Sequence, residues 1–71
     1  MTSFELLQEV ELADDFPSEG IARGTRGTIV EKFDTPSEAY DVEIVSDDGA
    51  TEILLPSVRP NQIRLVRSLV L

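Results

Sequence analysis

The chain has 71 residues, enough for a single small domain close to the lower size limit at which an apolar core alone sustains a fold. It contains neither cysteine nor histidine, which excludes disulfides, thiolate ligands and the most common general base and metal ligand. Fourteen acidic residues against six basic ones give a net charge of −8, which repels nucleic-acid phosphates and favours a basic protein partner, with no metal or cofactor expected.

The first eight residues form an extension ahead of the strand-like segments. Thr2 and Glu5 have the spacing of a capping box, which predicts a single short helical turn here. No basic segment followed by a long apolar one is present, so we expect neither a signal peptide nor a membrane span. We therefore expect a cytoplasmic protein.

The first two predicted strands flank a long acidic loop. Residues 9–12 (EVEL) alternate acidic and apolar side chains, as a half-buried strand does. The loop begins with residues 13–20 (ADDFPSEG), and the second strand covers residues 28–33 (TIVEKF). Proline and small polar residues at 34–37 (DTPS) end that strand in a turn.

Three further strands follow at short intervals. Apolar and acidic residues alternate in residues 40–45 (YDVEIV), and the Asp-Gly step at 48–49 predicts a hairpin to a fourth strand at 51–55 (TEILL). Residues 56–62 (PSVRPNQ) contain two prolines, which cannot sustain a sheet ladder, and are predicted to form a tight turn or one turn of 3₁₀ helix. Residues 63–67 (IRLVR) are the fifth strand.

Five short strands joined by tight turns indicate an all-β fold: a small five-stranded antiparallel barrel with a long loop after strand 1. We divide the chain into an N-terminal extension at 1–8, the barrel at 9–67 and an apolar C-terminal tail at 68–71. The tail either extends the fifth strand across the barrel or joins two copies of the chain as a homodimer.

Three of the four glycines lie in GIARGTRGTIVE (residues 20–31), just before the second strand. Their spacing does not match a phosphate-binding loop, and the β-branched residues that follow oppose the helix that a dinucleotide fingerprint requires. We therefore predict that glycine permits positive φ or close chain approach at four structural positions, which are Gly20, Gly24, Gly27 and Gly49.

The two arginines of this stretch follow several carboxylates of the same loop. The simplest role for Arg23 and Arg26 is to pair with Asp14, Asp15 or Glu19. Each such pair contributes about 0–1 kcal/mol when it is exposed to solvent. The arginines are thus predicted to be local counter-charges rather than parts of a phosphate site.

Five segments of the chain together carry a family resemblance. They are VEL (10–12), DDFPSEGI (14–21), GTRGTIV (24–30), EAYDVEI (38–44) and IRLV (63–66). They resemble a bacterial family of small SH3-like proteins known as a domain of unknown function. The resemblance implies an SH3-like barrel that serves as an accessory or interaction protein, and some members resemble the small acidic partner in toxin–antitoxin-like gene pairs.

Two other functions stay open beside protein binding. GTRGTIV also resembles the KOW motif of RNA-binding SH3-like barrels, although only six basic residues are available for the basic stripe that RNA requires. Alternatively, carboxylates spaced on one face like phosphates would make the chain a nucleic-acid mimic that inhibits a nucleic-acid-binding protein.

The leading prediction is a non-enzymatic module that binds a basic surface of another protein. In SH3-like barrels the long loop after the first strand, the loop after the second and the turn before the last line one groove, which here would combine an acidic rim with an aromatic platform. The candidate partner-binding residues are Asp14, Asp15, Phe16, Pro17, Glu19, Asp34, Tyr40, Pro56 and Pro60. The alternative is that Phe16 and Tyr40 are buried and the prolines only form turns; Tyr40 shares the strand parity of Val42 and Ile44, which favours the core.

Overall fold

Five antiparallel strands make up the fold, as the sequence predicts. The computed structural model describes residues 3–46 and 48–66. Two 3₁₀ turns, Pro17–Glu19 and Pro60–Gln62, lie in the connections. The strands are β1 (Glu9–Leu12), β2 (Arg26–Phe33), β3 (Ala39–Val45), β4 (Glu52–Val58) and β5 (Ile63–Leu65). The predicted apolar tail at 68–71 and the predicted end of the fifth strand at Arg67 lie outside the described residues.

The strands form one sheet in the order β4-β3-β2-β1-β5. Strands β2, β3 and β4 follow one another as hairpins, whereas β5 returns to pair with β1. Val10 of β1 accordingly lies opposite Gly27 of β2 on one side and Leu65 of β5 on the other. The pairing leaves β4 and β5 as the end strands of the sheet, and the closure of this sheet into a barrel stays a prediction.

One face of the sheet carries the hydrophobic core, because the alternation in the strands places every second side chain on that face. Strand β3 shows this most clearly, since Tyr40, Val42 and Ile44 are buried, whereas Asp41 and Glu43 between them are only half-buried. No polar or charged residue of the described chain is buried. The core consists of Val10, Leu12, Ile21, Ile29, Tyr40, Val42, Ile44, Leu55, Val58 and Ile63.

Strand β4 continues through a proline that the sequence predicts to end it. The register with β3 shifts between Tyr40 and Val42, so that Pro56 and Ser57 together lie opposite Asp41. Proline is accommodated because β4 is an end strand and a bulged residue needs no ladder hydrogen bond. The prediction of a turn beginning at residue 56 is therefore wrong, and the predicted 3₁₀ turn is confined to Pro60–Gln62.

The N-terminal extension forms a turn instead of the predicted helical turn. The Gln8 N–H donates to the Glu5 carbonyl at 3.3 Å, and the Leu7 N–H donates to the Ile29 carbonyl at 2.7 Å. The Ile29 N–H in turn donates to the Gln8 carbonyl at 3.0 Å, so β2 binds the backbone groups that a helix would use. Leu7 adopts a φ of 68°, a left-handed conformation that is costly for leucine. Thr2 lies outside the described residues.

Candidate partner-binding surfaces

The acidic loop, which we define as residues 13–25, is closed at its base by backbone hydrogen bonds. The Leu12 N–H donates to the Thr25 carbonyl and the Gly24 N–H donates to the Leu12 carbonyl, both at 2.8 Å. Gly24 has a φ of 90°, which an L side chain rarely adopts, so glycine is required at this turn. The Ala13 N–H donates to the Gln62 carbonyl at 2.7 Å, which joins the loop to the 3₁₀ turn before β5.

Within the acidic loop, one aromatic residue anchors the chain to the core. Phe16 and Ile21 exchange backbone hydrogen bonds at 2.7 and 3.1 Å, and Phe16 packs against the core while remaining half-buried. The 3₁₀ turn Pro17–Glu19 lies between them and ends at Gly20, whose φ is 70°. Phe16 is therefore an anchor of the loop more than an open aromatic platform, because its ring is partly covered by the core.

The carboxylates of the acidic loop are exposed, and only one of them contributes to the loop's own structure. Asp15 Oδ1 accepts the Arg23 N–H at 2.8 Å, which ties the two sides of the loop together. Glu19 accepts a hydrogen bond from the neighbouring Ser18 hydroxyl. Asp14 forms no hydrogen bond or ion pair with any residue of the described chain. The sequence-based prediction therefore places a structural residue, Asp15, among the contact residues.

The predicted ion pairs between the loop arginines and carboxylates do not form. Among the described residues the ion pairs are Lys32 with Glu5 and Arg64 with Glu11, each at 2.5 Å. The hydrogen bond that the Lys32 ammonium donates to Glu5 raises the pKa of Lys32. Arg23 contributes its backbone N–H instead of its guanidinium, because the backbone donor is already fixed by the turn that closes the loop. The negative charge of the acidic loop is thus not neutralised within the described chain.

Tyr40 belongs to the core, which corrects its assignment to an aromatic contact surface. Its side chain is 0% exposed, and its ring meets that of Phe4 edge-to-face with centroids 5.4 Å apart. The Tyr40 hydroxyl donates to Glu38 and accepts the Phe4 N–H, while the Ser3 N–H donates to Glu38 at 2.7 Å. Burial raises the pKa of Tyr40, and the hydrogen bond to Glu38 raises it further.

The remaining predicted contact residues lie apart from the acidic loop in the chain. Asp34 is exposed directly after β2, and Pro56 is exposed in the bulge of β4. Pro60 is half-buried as the first residue of the 3₁₀ turn before β5.

Gly49, with a φ of 71°, lies in the β3–β4 hairpin, where Ser46 and Thr51 close the turn with a 2.9 Å backbone hydrogen bond.

A cleft of about 330 Å³ lies where the loop after β2 meets the end of β4. Phe33, Pro36 and Ala39 provide its apolar surface, and Arg59 is its only charged lining residue. Its hydroxyl-bearing lining residues are Thr35, Ser37 and Ser57. The sequence does not predict this cleft, because the β4 bulge, which carries Ser57 into its wall, depends on the register with β3 and leaves no local signal.

The single groove predicted from three segments stays a prediction, and the described chain has two separate contacts around the 3₁₀ turn before β5. The acidic loop reaches this turn through the bond between Ala13 and Gln62. The loop after β2 lies on one side of the cleft, and Arg59, the residue just before the 3₁₀ turn, lies on the other side. None of the predicted contact residues lines the cleft, so the acidic loop and the cleft are two separate candidate surfaces.

The described residues contain no group of three or more side chains suited to hold a metal ion. They also contain no helix that is long and apolar enough to cross a membrane.

The chain belongs to the family described as Domain of unknown function (DUF4926), whose family model matches residues 6–65. The match covers all five strands and both connecting 3₁₀ turns. It agrees with the resemblance to a domain of unknown function that the sequence segments indicate, while the SH3-like character of the family stays a prediction. No curated protein and no solved structure matches the chain.

Proposed function

We propose that this member of the DUF4926 family is a non-enzymatic interaction module that binds a basic surface of another protein in the cytoplasm. Its contact surface is the acidic loop, in which Asp14, Pro17 and Glu19 are exposed. In this role the chain is a small acidic accessory subunit, comparable to the acidic member of a paired-gene system. In the SH3-like barrel that we propose for this chain, the sheet presents the acidic loop beside the 3₁₀ turn Pro60–Gln62.

The observation that carries the proposal is the uncompensated charge of the acidic loop. Asp14 and Glu19 are exposed, and neither forms an ion pair with a described residue. The loop is nevertheless held in place by Phe16 and by the bond between Asp15 and the Arg23 N–H. A charged loop with a fixed backbone loses less conformational freedom on binding than a mobile one.

The sign of the charge specifies the class of partner. With a net charge of −8 on 71 residues, the field of the chain attracts a basic surface and repels nucleic-acid phosphates. Complementary charge raises the association rate and weakens as salt screens it. The proposal therefore requires a partner whose binding to this chain falls with ionic strength.

The test is affinity capture from an extract of the source cell, with mass spectrometry of the retained proteins at two salt concentrations. The unmodified chain is compared with the double variant Asp14→Lys/Glu19→Lys, which leaves Asp15 and its structural hydrogen bond intact. We expect the unmodified chain to retain a basic protein at low salt, and the loop variant to lose it.

A matched control separates a specific contact from a general effect of charge. The variant Glu31→Lys/Glu52→Lys reverses two exposed carboxylates on β2 and β4, and each of the two double variants changes the net charge from −8 to −4. The control variant is expected to retain the partner. Equal retention by the loop variant and the unmodified chain would rule out the acidic loop as the contact.

A further inference from the structure

The cleft beside Arg59 combines an apolar surface with a positive charge that no residue of the described chain pairs. Its volume of about 330 Å³ lies at the lower end of the range of roughly 300–1,000 Å³ that is typical of ligand pockets. A space of this size accommodates a small molecule or a single side chain of a peptide. Its apolar surface, formed by Phe33, Pro36 and Ala39, provides the hydrophobic part of such a site.

The wall formed by β4 is held by hydrogen bonds on both sides of Val58, which is buried. The Ser57 N–H donates to Asp41 Oδ1 at 3.0 Å, and Ser57 adopts a φ of 58° in the bulge. The Arg59 N–H donates to Gln62 Oε1 at 3.0 Å, and the Arg59 carbonyl accepts the Gln62 N–H at 3.0 Å. The backbone that carries the arginine is therefore fixed before any ligand arrives. Bulges of this kind are frequent beside binding sites, where they change the direction of a side chain.

The guanidinium of Arg59 forms no ion pair or side-chain hydrogen bond with any residue of the described chain, although the protein carries fourteen acidic residues. Arg64, in contrast, is paired with Glu11 at 2.5 Å. An arginine beside an apolar surface binds a carboxylate through two parallel hydrogen bonds, a geometry that suits a single planar anion. Recognition of phosphate groups typically uses a cluster of arginines, and the lining of the cleft has only one.

We propose that this cleft binds a free carboxylate that is attached to an apolar group, as in the last residue of a peptide that ends in an apolar side chain. Arg59 binds the carboxylate, the apolar group packs against Phe33 and Ala39, and the Ser57 hydroxyl is placed to donate to the ligand. The site is independent of the acidic loop, because it uses other residues and a ligand of opposite charge.

The test is a titration of the ¹⁵N-labelled full chain with N-acetyl-phenylalanine, followed by the amide resonances. We expect saturable shifts concentrated at residues that line the cleft. N-acetyl-phenylalaninamide has the same apolar group without the charge, and we expect it to bind about tenfold more weakly or worse. Equal shifts from the acid and the amide would overturn the proposal, as would saturable shifts that lie outside the cleft.

Two variants test whether the carboxylate of the ligand binds to Arg59. Arg59→Gln removes the guanidinium and keeps the backbone bonds to Gln62, and we expect about tenfold weaker binding of N-acetyl-phenylalanine. Arg26→Gln removes one positive charge from an exposed position outside the cleft, and its affinity should remain within about twofold of the unmodified chain. Unchanged amide resonances outside the cleft show that each variant is folded. An unaltered affinity of Arg59→Gln, or equal losses in both variants, would overturn the assignment.

Discussion

Gly27 occupies the tightest position in the sheet. A Cβ atom at this residue would lie 2.6 Å from Val42 Cγ1 and 2.8 Å from the Glu43 carbonyl oxygen, closer than such atoms approach in proteins. The reason for glycine here is thus close approach between β2 and β3, not a turn. The sequence indicates both reasons for the glycine cluster, positive φ and close approach, but which reason applies to which glycine depends on the sheet register.

We expect Gly27→Ala to lower the free energy of unfolding by about 1–3 kcal/mol, as overpacking of a core does. Urea denaturation measures the change. Because Val42 is the nearest obstacle, the double variant Gly27→Ala/Val42→Ala should lose less than the sum of the two single variants, by about 1 kcal/mol. Strict additivity in this cycle would show that the side chain of Val42 does not limit the space at Gly27.

Glu38 connects the N-terminal extension to the core and makes stability depend on pH. The hydrogen bond from the Tyr40 hydroxyl lowers the pKa of Glu38, and the bond from the Ser3 N–H lowers it further. A carboxyl group whose pKa is lower in the folded state stabilises that state above its unfolded pKa. This contribution is lost as the pH falls through the folded pKa.

We therefore expect the difference in unfolding free energy between the unmodified chain and Glu38→Gln to be largest near neutral pH. It should shrink between about pH 5 and pH 2, because both proteins then carry a neutral group at this position. Urea denaturation at several pH values measures this difference, in which the effects of the other carboxylates cancel. A difference that does not vary with pH would contradict the role given to Glu38.

At the scale of elements, strand β4 differs most from what its sequence predicts. The prolines at 56 and 60 indicate a break after residue 55, yet the strand passes Pro56 because Asp41 of β3 supplies an acceptor for the Ser57 N–H at 3.0 Å. This compensation comes from a residue sixteen positions away, and no local pattern reveals it. Strands β1 and β3 are recognisable because their alternation of apolar and acidic residues is local.

Replacing Asp41 tests this account of the bulge. Asp41→Ala leaves the Ser57 N–H without its side-chain acceptor, and we expect the free energy of unfolding to fall by about 1 kcal/mol. Asp41→Asn keeps an oxygen acceptor at the same position and should retain most of the stability. Thermal unfolding of both variants provides the comparison, and equal losses would show that the charge of Asp41 matters and the acceptor does not.

The N-terminal extension shows a second limit of prediction at this scale. The capping-box spacing of Thr2 and Glu5 indicates a helical turn, but Glu5 pairs with Lys32 and Leu7 binds β2 instead. A short helix is weak in isolation, so contacts with a neighbouring strand decide the conformation. The spacing of residues within one segment does not indicate such contacts with a distant segment.

For the whole molecule, the sequence predicts the number and direction of the strands and the loops that meet near the last 3₁₀ turn. It predicts the exposure of Asp14 and Glu19 from their polarity. It does not distinguish them from Asp15, whose role depends on the backbone N–H of Arg23 across the loop. The cleft was not predictable either, because Arg59 and Phe33 are distant in the sequence and only the pairing of the strands brings them to the same cleft.

The balance of charge is the property of the whole molecule on which the proposed function depends. The ion pairs among the described residues are those of Lys32 with Glu5 and Arg64 with Glu11, so the exposed Asp14 and Glu19 of the acidic loop have no counter-charge there, and the chain has a net charge of −8. Self-repulsion of this kind lowers the stability of the folded state and is relieved when a basic surface approaches.

The most direct measurement of the central claim is the affinity of the captured partner, purified, for the chain by isothermal titration calorimetry. The account predicts that Asp14→Lys/Glu19→Lys weakens binding by about tenfold or more, whereas the matched variant Glu31→Lys/Glu52→Lys weakens it far less. It also predicts weaker binding of the unmodified chain as salt is added. Equal affinities of the two variants, or an affinity independent of salt, would contradict the claim that the acidic loop binds a basic surface.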